Sequence, residues 1–186
     1  MNANERASTS PERTPLSPSV SDPYEEIVKG ETVLRLPARP RHETILSRLH
    51  ERVAGAVAGL VTTRLLARRT RIELSPQNLF RPDLALITTA SNKLWLVAEV
   101  ISSDDHHADT VEKKEVYEEL KLPRLWIVDP RYDNVEVYHG TPYGLTLKKV
   151  LAGRDVLIEP LLPDFQMPVH ELFAGDPAGE AARIDF

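Results

Sequence analysis

The pattern of apolar and polar residues is clearest in the middle of the chain, where it predicts two neighbouring strands. Apolar runs occupy residues 84–87 and 94–101, and a short turn segment at residues 90–92 separates them. A connection this short predicts a hairpin. The second run is apolar on both faces, which predicts a central strand covered on each side. Strict alternation places Trp95 and Glu99 on the same face of that strand.

A long helix is predicted from residue 41 to residue 69. Apolar side chains recur there at spacings of three and four residues, while the arginines lie mostly off that stripe. Gly55 and Gly59 each cost about 1 kcal/mol relative to Ala inside a helix. Their presence therefore predicts close packing against a sheet or a partner. The stripe consists of Ile45, Leu49, Val53, Val57, Leu60, Val61 and Leu65.

The remaining segments complete an α/β pattern. Residues 24–30 predict a short helix or turn, and a second helix follows a loop at residues 102–108. This order of helices and strands predicts a mixed central sheet flanked by at least two helices. Further strands are predicted at residues 32–36, 71–75, 125–128, 135–138, 145–151 and 156–158, and a one-turn helix at residues 169–173.

Length and composition set the domain limits. A chain of 186 residues fits one domain with a sizeable core. Residues 1–22 are rich in Ser and Pro, which predicts a disordered tail; the domain is expected at residues 23–173 and a C-terminal tail at residues 174–186. No apolar run approaches the roughly 20 residues of a membrane span. The N-terminus also lacks the apolar stretch of a secretory signal, so we expect a cytoplasmic protein that does not enter a membrane.

Charge and cysteine content exclude several classes of site. Cysteine is absent, which removes disulfides, thiolate nucleophiles and cysteine-bound zinc. Glycine-rich phosphate loops and the GxSxG nucleophile motif are absent too. The formal net charge is -5, whereas binding to nucleic acid depends on Lys and Arg that neutralise phosphates. Such binding would need a local basic patch, and the densest candidate consists of Arg64, Arg68, Arg69 and Arg71.

Two acids in the apolar hairpin are the main candidates for chemistry. Asp83 opens the first run, and Glu99 lies inside the second, where a carboxylate is costly unless something pairs with it. In a hairpin the two acids could converge on one cation. The structural alternatives are that Asp83 caps a turn and that Glu99 forms a buried salt bridge with Lys113 or an arginine.

The second helix adds three polar candidates along one face. Asp109, Lys113 and Tyr117 stand at i, i+4 and i+8. Asp109 and Lys113 could instead form only a helix pair, and Tyr117 could simply pack with its hydroxyl at the rim. The acidic and histidine residues of the preceding segment, 104–107, suggest a metal site. A solvated loop is favoured, because adjacent histidines point apart in most backbone conformations.

These motifs occur in an order that resembles a known family. Pro82-Asp83, Ala98-Glu99-Val100-Ile101-Ser102, Asp109-x3-Lys113-x3-Tyr117 and Leu125-Trp126-Ile127-Val128-Asp129-Pro130 follow one another along the chain. Together they resemble the Uma-type family of bacterial restriction-endonuclease-like proteins, a branch of the PD-(D/E)XK nuclease superfamily. The resemblance runs from about residue 24 to residue 173, and it implies the restriction-endonuclease-like fold.

The resemblance also implies roles for particular residues. Asp83 and Glu99 match the two metal-binding acids, and with the backbone carbonyl of Val100 they would offer hard oxygen ligands to magnesium or manganese. The superfamily's lysine usually lies two residues after the Glu, where this chain has Ile101. Lys113 matches that lysine from the following helix, where it would orient a water or stabilise the transition state.

The start of the first helix contains one further candidate for the site. His42-Glu43 stands where related nucleases carry a metal-linked acid, so Glu43 could support the site. Capping of the helix explains the pair equally well.

The resemblance implies a metal-dependent phosphodiester hydrolase, an endonuclease acting on DNA. Two other functions stay open: a non-catalytic homo-oligomeric binding or regulatory module with the same fold, and a hydrolase of a smaller phosphoester. A homodimer is expected, because Gly55 and Gly59 stand beside small alanines on the first helix and a twofold would place two sites on one assembly.

Overall fold

The computed structural model describes residues 22–102 and 111–175, which form a mixed α/β domain as predicted. The helices in these ranges are α1 (Pro40–Val57), α2 (Lys113–Glu119) and α3 (Val169–Phe173). None of them combines the length and apolar character needed to cross a bilayer. The strands in these ranges are β1 (Tyr24–Val28), β2 (Glu31–Arg35), β3 (Thr63–Leu65), β4 (Ile72–Ser75), β5 (Asn78–Phe80), β6 (Leu84–Thr88), β7 (Leu94–Val100), β8 (Arg124–Asp129), β9 (Asn134–Thr141), β10 (Gly144–Ala152), β11 (Val156–Glu159) and β12 (Leu162–Pro168).

A six-stranded mixed sheet forms the centre, in the order β10-β9-β8-β7-β6-β3. The β6–β7 hairpin is antiparallel, as predicted. Strands β7 and β8 are parallel, so the chain between them has to cross over, and α2 lies in that connection. A second sheet has the order β2-β1-β5-β4, and β11 pairs with β12.

The two faces of the central sheet pack against different helices. Side chains of β8 alternate between two apolar clusters: Trp126 packs in the cluster that contains Leu49 of α1, and Ile127 packs in the cluster that contains Val116 and Tyr117 of α2. Burial on both faces is what the continuous apolar runs predict.

Residues 24–30 were predicted as a short helix or turn, and this prediction is wrong. Tyr24–Val28 is strand β1, which pairs with β2 in a tight hairpin. The two connecting residues, Lys29 and Gly30, have φ angles of 52° and 87°. Positive φ at both positions is the geometry of a two-residue turn whose twist suits a hairpin.

The first helix is shorter than its periodicity predicts. It ends at Val57, and Thr63–Leu65 pairs with β6 as strand β3. The apolar spacing therefore continues past the helix only by chance, and pairing at the edge of the sheet outweighs it. Gly55 and Gly59 do not pack against the sheet, because no described atom lies within 4 Å of where a Cβ would stand.

The expected alternation along β7 also fails at one position. The pairing shifts between Leu86 and Ile87, whose partners are Leu96 and Leu94. Trp95 is skipped and packs in the cluster on the α1 side, opposite to the face predicted for it. A bulge inserts one residue and reverses the alternation on one side of it.

Candidate active site

The predicted acids Asp83 and Glu99 line one small cleft, together with Val100 and Lys113. The cleft lies where β6 begins and β7 ends, beside the second sheet. Its volume of about 30 Å³ can hold a group the size of a water molecule. The other residues of its wall are Tyr24, Arg35, Leu36, Ala38, His42, Arg69 and Ser102.

Asp83 is held by contacts to both of its oxygens. Asp83 directly precedes β6. Leu84 pairs with Ala98 in the antiparallel hairpin, so the next pair in the same register would be Asp83 opposite Glu99. The backbone N–H of Val100 donates to Oδ2 at 2.8 Å. The Nε2 atom of His42 lies 3.1 Å from Oδ1. Burial alone would raise the pKa of Asp83, but these partners hold it below its ordinary value.

His42 lies in the first turn of α1 and is 9% exposed. Burial lowers the pKa of its imidazole, but the Asp83 carboxylate outweighs burial and leaves the pKa above its ordinary value. The sequence pointed to this position only through the pair His42-Glu43. In the structure, the histidine of that pair contacts the cleft.

Glu99 receives hydrogen bonds from two residues of α2. The Tyr117 hydroxyl donates to Oε1 at 2.7 Å, and Lys113 Nζ lies 3.4 Å from both carboxylate oxygens. Glu99 and Lys113 are 3% and 2% exposed. The structure therefore brings these three predicted residues together. The salt bridge that was the structural alternative for Glu99 is present as well.

Glu26 is a residue of this cluster that the sequence reasoning missed. It lies on β1, is fully buried, and has an oxygen 3.1 Å from Lys113 Nζ. It also accepts hydrogen bonds from Arg35 Nε at 2.8 Å and the backbone N–H of Arg81 at 2.6 Å. Burial would raise the pKa of Glu26, but Lys113, Arg35 and the Arg81 N–H together lower it. The Lys29-Gly30 turn could have revealed this strand in the sequence.

Glu43, another supporting candidate, is not among the residues that line the cleft in the described part of the chain. Glu43 pairs with Arg69 and has an oxygen 3.6 Å from Arg68 NH1. Arg69 in turn lies 3.9 Å from Asp83, so Glu43 reaches the acid only through that arginine. Asp109 and the segment 104–107 lie outside the described residues.

The oxygen donors at the cleft fit a hard divalent cation. The N–H and C=O of one strand residue point to the same side. The Val100 N–H points at Asp83, so the Val100 carbonyl faces that side too. Carboxylates completed by waters are the usual protein ligands of Mg²⁺. No three His, Cys, Asp or Glu side chains come together as a metal group within residues 22–102 and 111–175, so the oxygen donors available at the cleft are two acids and a backbone carbonyl.

Comparisons with known proteins agree with this fold. A crystal structure of a protein from Anabaena variabilis, described as a "putative nuclease belonging to DUF820", superposes with a TM-score of 0.69. It shares 14% sequence identity, and the match covers 82% of this chain and 90% of that one. This similarity establishes the restriction-endonuclease-like fold. No curated protein matches the chain.

Family membership follows from the sequence itself. Residues 19–170 match the Uma2 family, which is described as "Putative restriction endonuclease". This match supports a nuclease, and restriction-endonuclease-like families generally use divalent metals. The match spans most of the chain and includes the β6–β7 hairpin and α2. The chain therefore belongs to the Uma2 family.

Proposed function

We propose that this protein is a metal-dependent endonuclease that hydrolyses phosphodiester bonds in DNA. The observation that carries the proposal is the convergence of Asp83, Glu99 and Lys113 on one cleft. Buried ionisable groups with specific partners in a cleft are typical of functional sites.

Asp83, Glu99 and the Val100 carbonyl would hold magnesium or manganese. When bound, the cation lowers the pKa of a water and neutralises charge on the phosphate. Two carboxylates are few ligands for a protein site. A phosphate oxygen of the substrate and several waters would complete the usual octahedron.

The side chains around the acids fix their orientation. His42 and the Val100 N–H hold Asp83 from two directions, and Tyr117 holds Glu99. A buried carboxylate with such partners loses little freedom when it takes up a ligand. The cleft is therefore prepared for binding before a ligand arrives.

Lys113 supplies the positive charge of the site. Its ammonium contacts Glu99, so it would lie close to a phosphoryl oxygen that bound beside this acid. A fixed ammonium there would orient the attacking water or stabilise the negative charge that develops on the phosphoryl oxygens. Its low exposure strengthens that interaction, because water screens it less.

One arginine at the cleft could contact the substrate backbone. Arg69 lines the cleft, and its guanidinium lies 5.7 Å from the centre of the Tyr24 ring. Arg35 lines the cleft too, but it is buried and bonded to Glu26. Of the basic patch predicted from the sequence, Arg69 is the member found in the cleft wall, whereas Arg64 bonds to Asn92. Local positive charge of this kind is needed for phosphates to bind a chain with a net charge of -5.

We further propose a cytoplasmic homodimer. Cleavage of both strands of a duplex needs two sites, and a twofold dimer provides them. The domain limits expected from the sequence, residues 23–173, belong to the same proposal.

A cleavage assay tests the proposed function. Single-stranded DNA, duplex DNA, RNA and a small phosphodiester are incubated with magnesium, manganese or a chelator. We expect metal-dependent cleavage of DNA by the wild-type protein and none by Asp83→Asn. The matched control is Asp129→Asn, since Asp129 is similarly buried but pairs with Arg131, and neither residue lines the cleft.

The alternatives predict other outcomes. Glu99 is already paired with Lys113 and Tyr117, which favours a non-catalytic binding module as the second candidate. Folded protein that binds DNA but cleaves nothing with either metal would support that module. Cleavage of the small phosphodiester alone would identify a different hydrolase, and equal loss of activity in Asp129→Asn would show that the effect of Asp83→Asn is structural.

A further inference from the structure

Lys113 stands between two acids that come from different sheets. Its Nζ atom lies 3.1 Å from Glu26 on β1 and 3.4 Å from Glu99 on β7. Glu26 is 0% exposed, Glu99 3% and Lys113 2%. The ammonium is therefore slightly closer to the acid outside the β6–β7 hairpin than to the proposed metal ligand.

Glu26 is itself held by two hydrogen bonds besides its contact with Lys113. Arg35 Nε donates to Oε2 at 2.8 Å, and the Arg81 N–H donates to Oε1 at 2.6 Å. These bonds fix the carboxylate on the β1–β2 hairpin. A lysine side chain has a flexible four-carbon stem, so a fixed acid beside its ammonium determines where the charge is held.

We propose that Glu26 is a positioning residue, which holds the Lys113 ammonium beside Glu99. The β1–β2 hairpin would then contribute a residue to the active site. This inference rests on the proposed function, because it assigns Lys113 its role in cleavage. A second consequence is that Glu26 would balance part of the Lys113 charge when Glu99 also binds a metal ion.

Glu159 provides a matched control within the same chain. It is 2% exposed, accepts a hydrogen bond from Arg124 Nε at 3.1 Å and another from the Leu161 N–H at 3.1 Å. Its carboxylate thus has an arginine and a backbone N–H as partners, as Glu26 does. It differs from Glu26 in lying on the β11–β12 hairpin, where its ion-pair partner is Arg124 of β8.

The kinetic test compares Glu26→Gln with Glu159→Gln. We expect Glu26→Gln to lower kcat about 10-fold or more with KM little changed, because a misplaced Lys113 ammonium would stabilise the transition state less. Glu159→Gln should lose a similar amount of thermal stability and keep its kcat. Glu26→Asp retains the charge and should have a kcat between those of wild type and Glu26→Gln. If Glu26→Gln does not fold, Glu26→Asp replaces it in the comparison. Equal kcat losses in the Gln variants would overturn the proposal.

A stability cycle tests the contact without any activity. The melting temperatures of Glu26→Gln, Lys113→Met and the double variant are compared with wild type. Groups that act on each other give a double loss smaller than the sum of the single losses. If the wild-type protein cleaves nothing, the proposed function fails, but this cycle still tests whether Glu26 positions Lys113. Additive losses would overturn that positioning, and a double loss smaller than the sum would support it.

Discussion

The Nε2 atom of His42 lies 3.1 Å from Oδ1 of Asp83, and this contact joins the first helix to the acid that opens β6. The other oxygen of Asp83 accepts the Val100 N–H. The carboxylate is therefore fixed by two partners from different elements. A ligand that binds Asp83 would find it already oriented.

Replacement of His42 should weaken metal binding. We expect His42→Ala to lower the affinity for Mn²⁺ about 10- to 100-fold, the usual effect of removing a partner that orients a ligand. Isothermal titration calorimetry measures this affinity. The control is His50→Ala, which removes another histidine of α1 whose Nε2 lies 3.3 Å from the Leu66 carbonyl. Equal weakening in both variants would contradict an orienting role.

Removal of Lys113 should separate metal binding from turnover. In Lys113→Met the carboxylates lose a nearby positive charge, so Mn²⁺ binding should remain measurable, while cleavage falls about 100-fold or more. Mn²⁺ should also raise the melting temperature of this variant more than that of wild type, since it replaces the lost charge. Lys114→Met is the control on the same helix, because Lys114 packs over the Tyr138 ring instead. Loss of metal binding in Lys113→Met would mark the lysine as structural.

Removal of the Tyr117 hydroxyl should lower the stability of the fold. Tyr117→Phe keeps the edge-on contact with Phe80, whose ring centroid lies 5.5 Å away, and removes the hydrogen bond to Glu99. A hydrogen bond to a charged group contributes about 1.5–3 kcal/mol, so the free energy of unfolding should fall by about that amount. Urea unfolding measures it. Tyr138→Phe is the control, because it also removes a hydroxyl that is bonded to a carboxylate, at 2.6 Å from Glu136. Neither residue lines the cleft, so this variant should leave cleavage unchanged.

Stability should depend on acid pH through Glu26. Its partners lower the pKa of this carboxyl below the ordinary 4.5. Ionised Glu26 therefore stabilises the fold fully above about pH 4.5, and this stabilisation is lost as the pH falls through the folded-state pKa. The melting temperatures of wild type and Glu26→Gln should differ by a constant amount near neutral pH and converge in acid. A difference that persists down to the lowest pH at which both fold would contradict this.

Association can be tested by light scattering. A homodimer should give about twice the 20.9 kDa of one chain. The exposed Gly55 is a useful probe, because a side chain there meets no described atom within 4 Å. Gly55→Gln should leave the fold intact, and it should dissociate the dimer if this face of α1 forms the interface. A mass of one chain at every micromolar concentration would refute the dimer.

The sequence predicted those parts of the site that depend on local pattern. Asp83 and Glu99 were placed in one hairpin because two apolar runs and a short turn are visible in the sequence. Lys113 and Tyr117 were placed on one helix face because their spacing follows the helix period. Each of these patterns is formed by residues that are close together in the sequence, so it can be recognised without the structure.

The parts that were missed depend on distant contacts. Nothing near Glu26 in the sequence indicates that Lys113 will lie beside it. The length of α1 was overestimated because Leu65 continues the apolar spacing, and its pairing in β3 depends on β6. Trp95 was assigned to the wrong face because a bulge depends on the register with the partner strand.

The parallel pairing of β7 with β8 has a consequence for the order of folding. Asp83 and Glu99 meet across a hairpin, which closes quickly because its loop is short. Lys113 reaches Glu99 only after the crossover has formed, and Glu26 reaches Lys113 only when the N-terminal hairpin docks. Contacts between distant segments carry the larger cost of loop closure. We therefore expect the acids to meet early and the lysine to reach its final position late, so that a partly folded chain would contain the proposed metal ligands before the proposed catalytic lysine is in place.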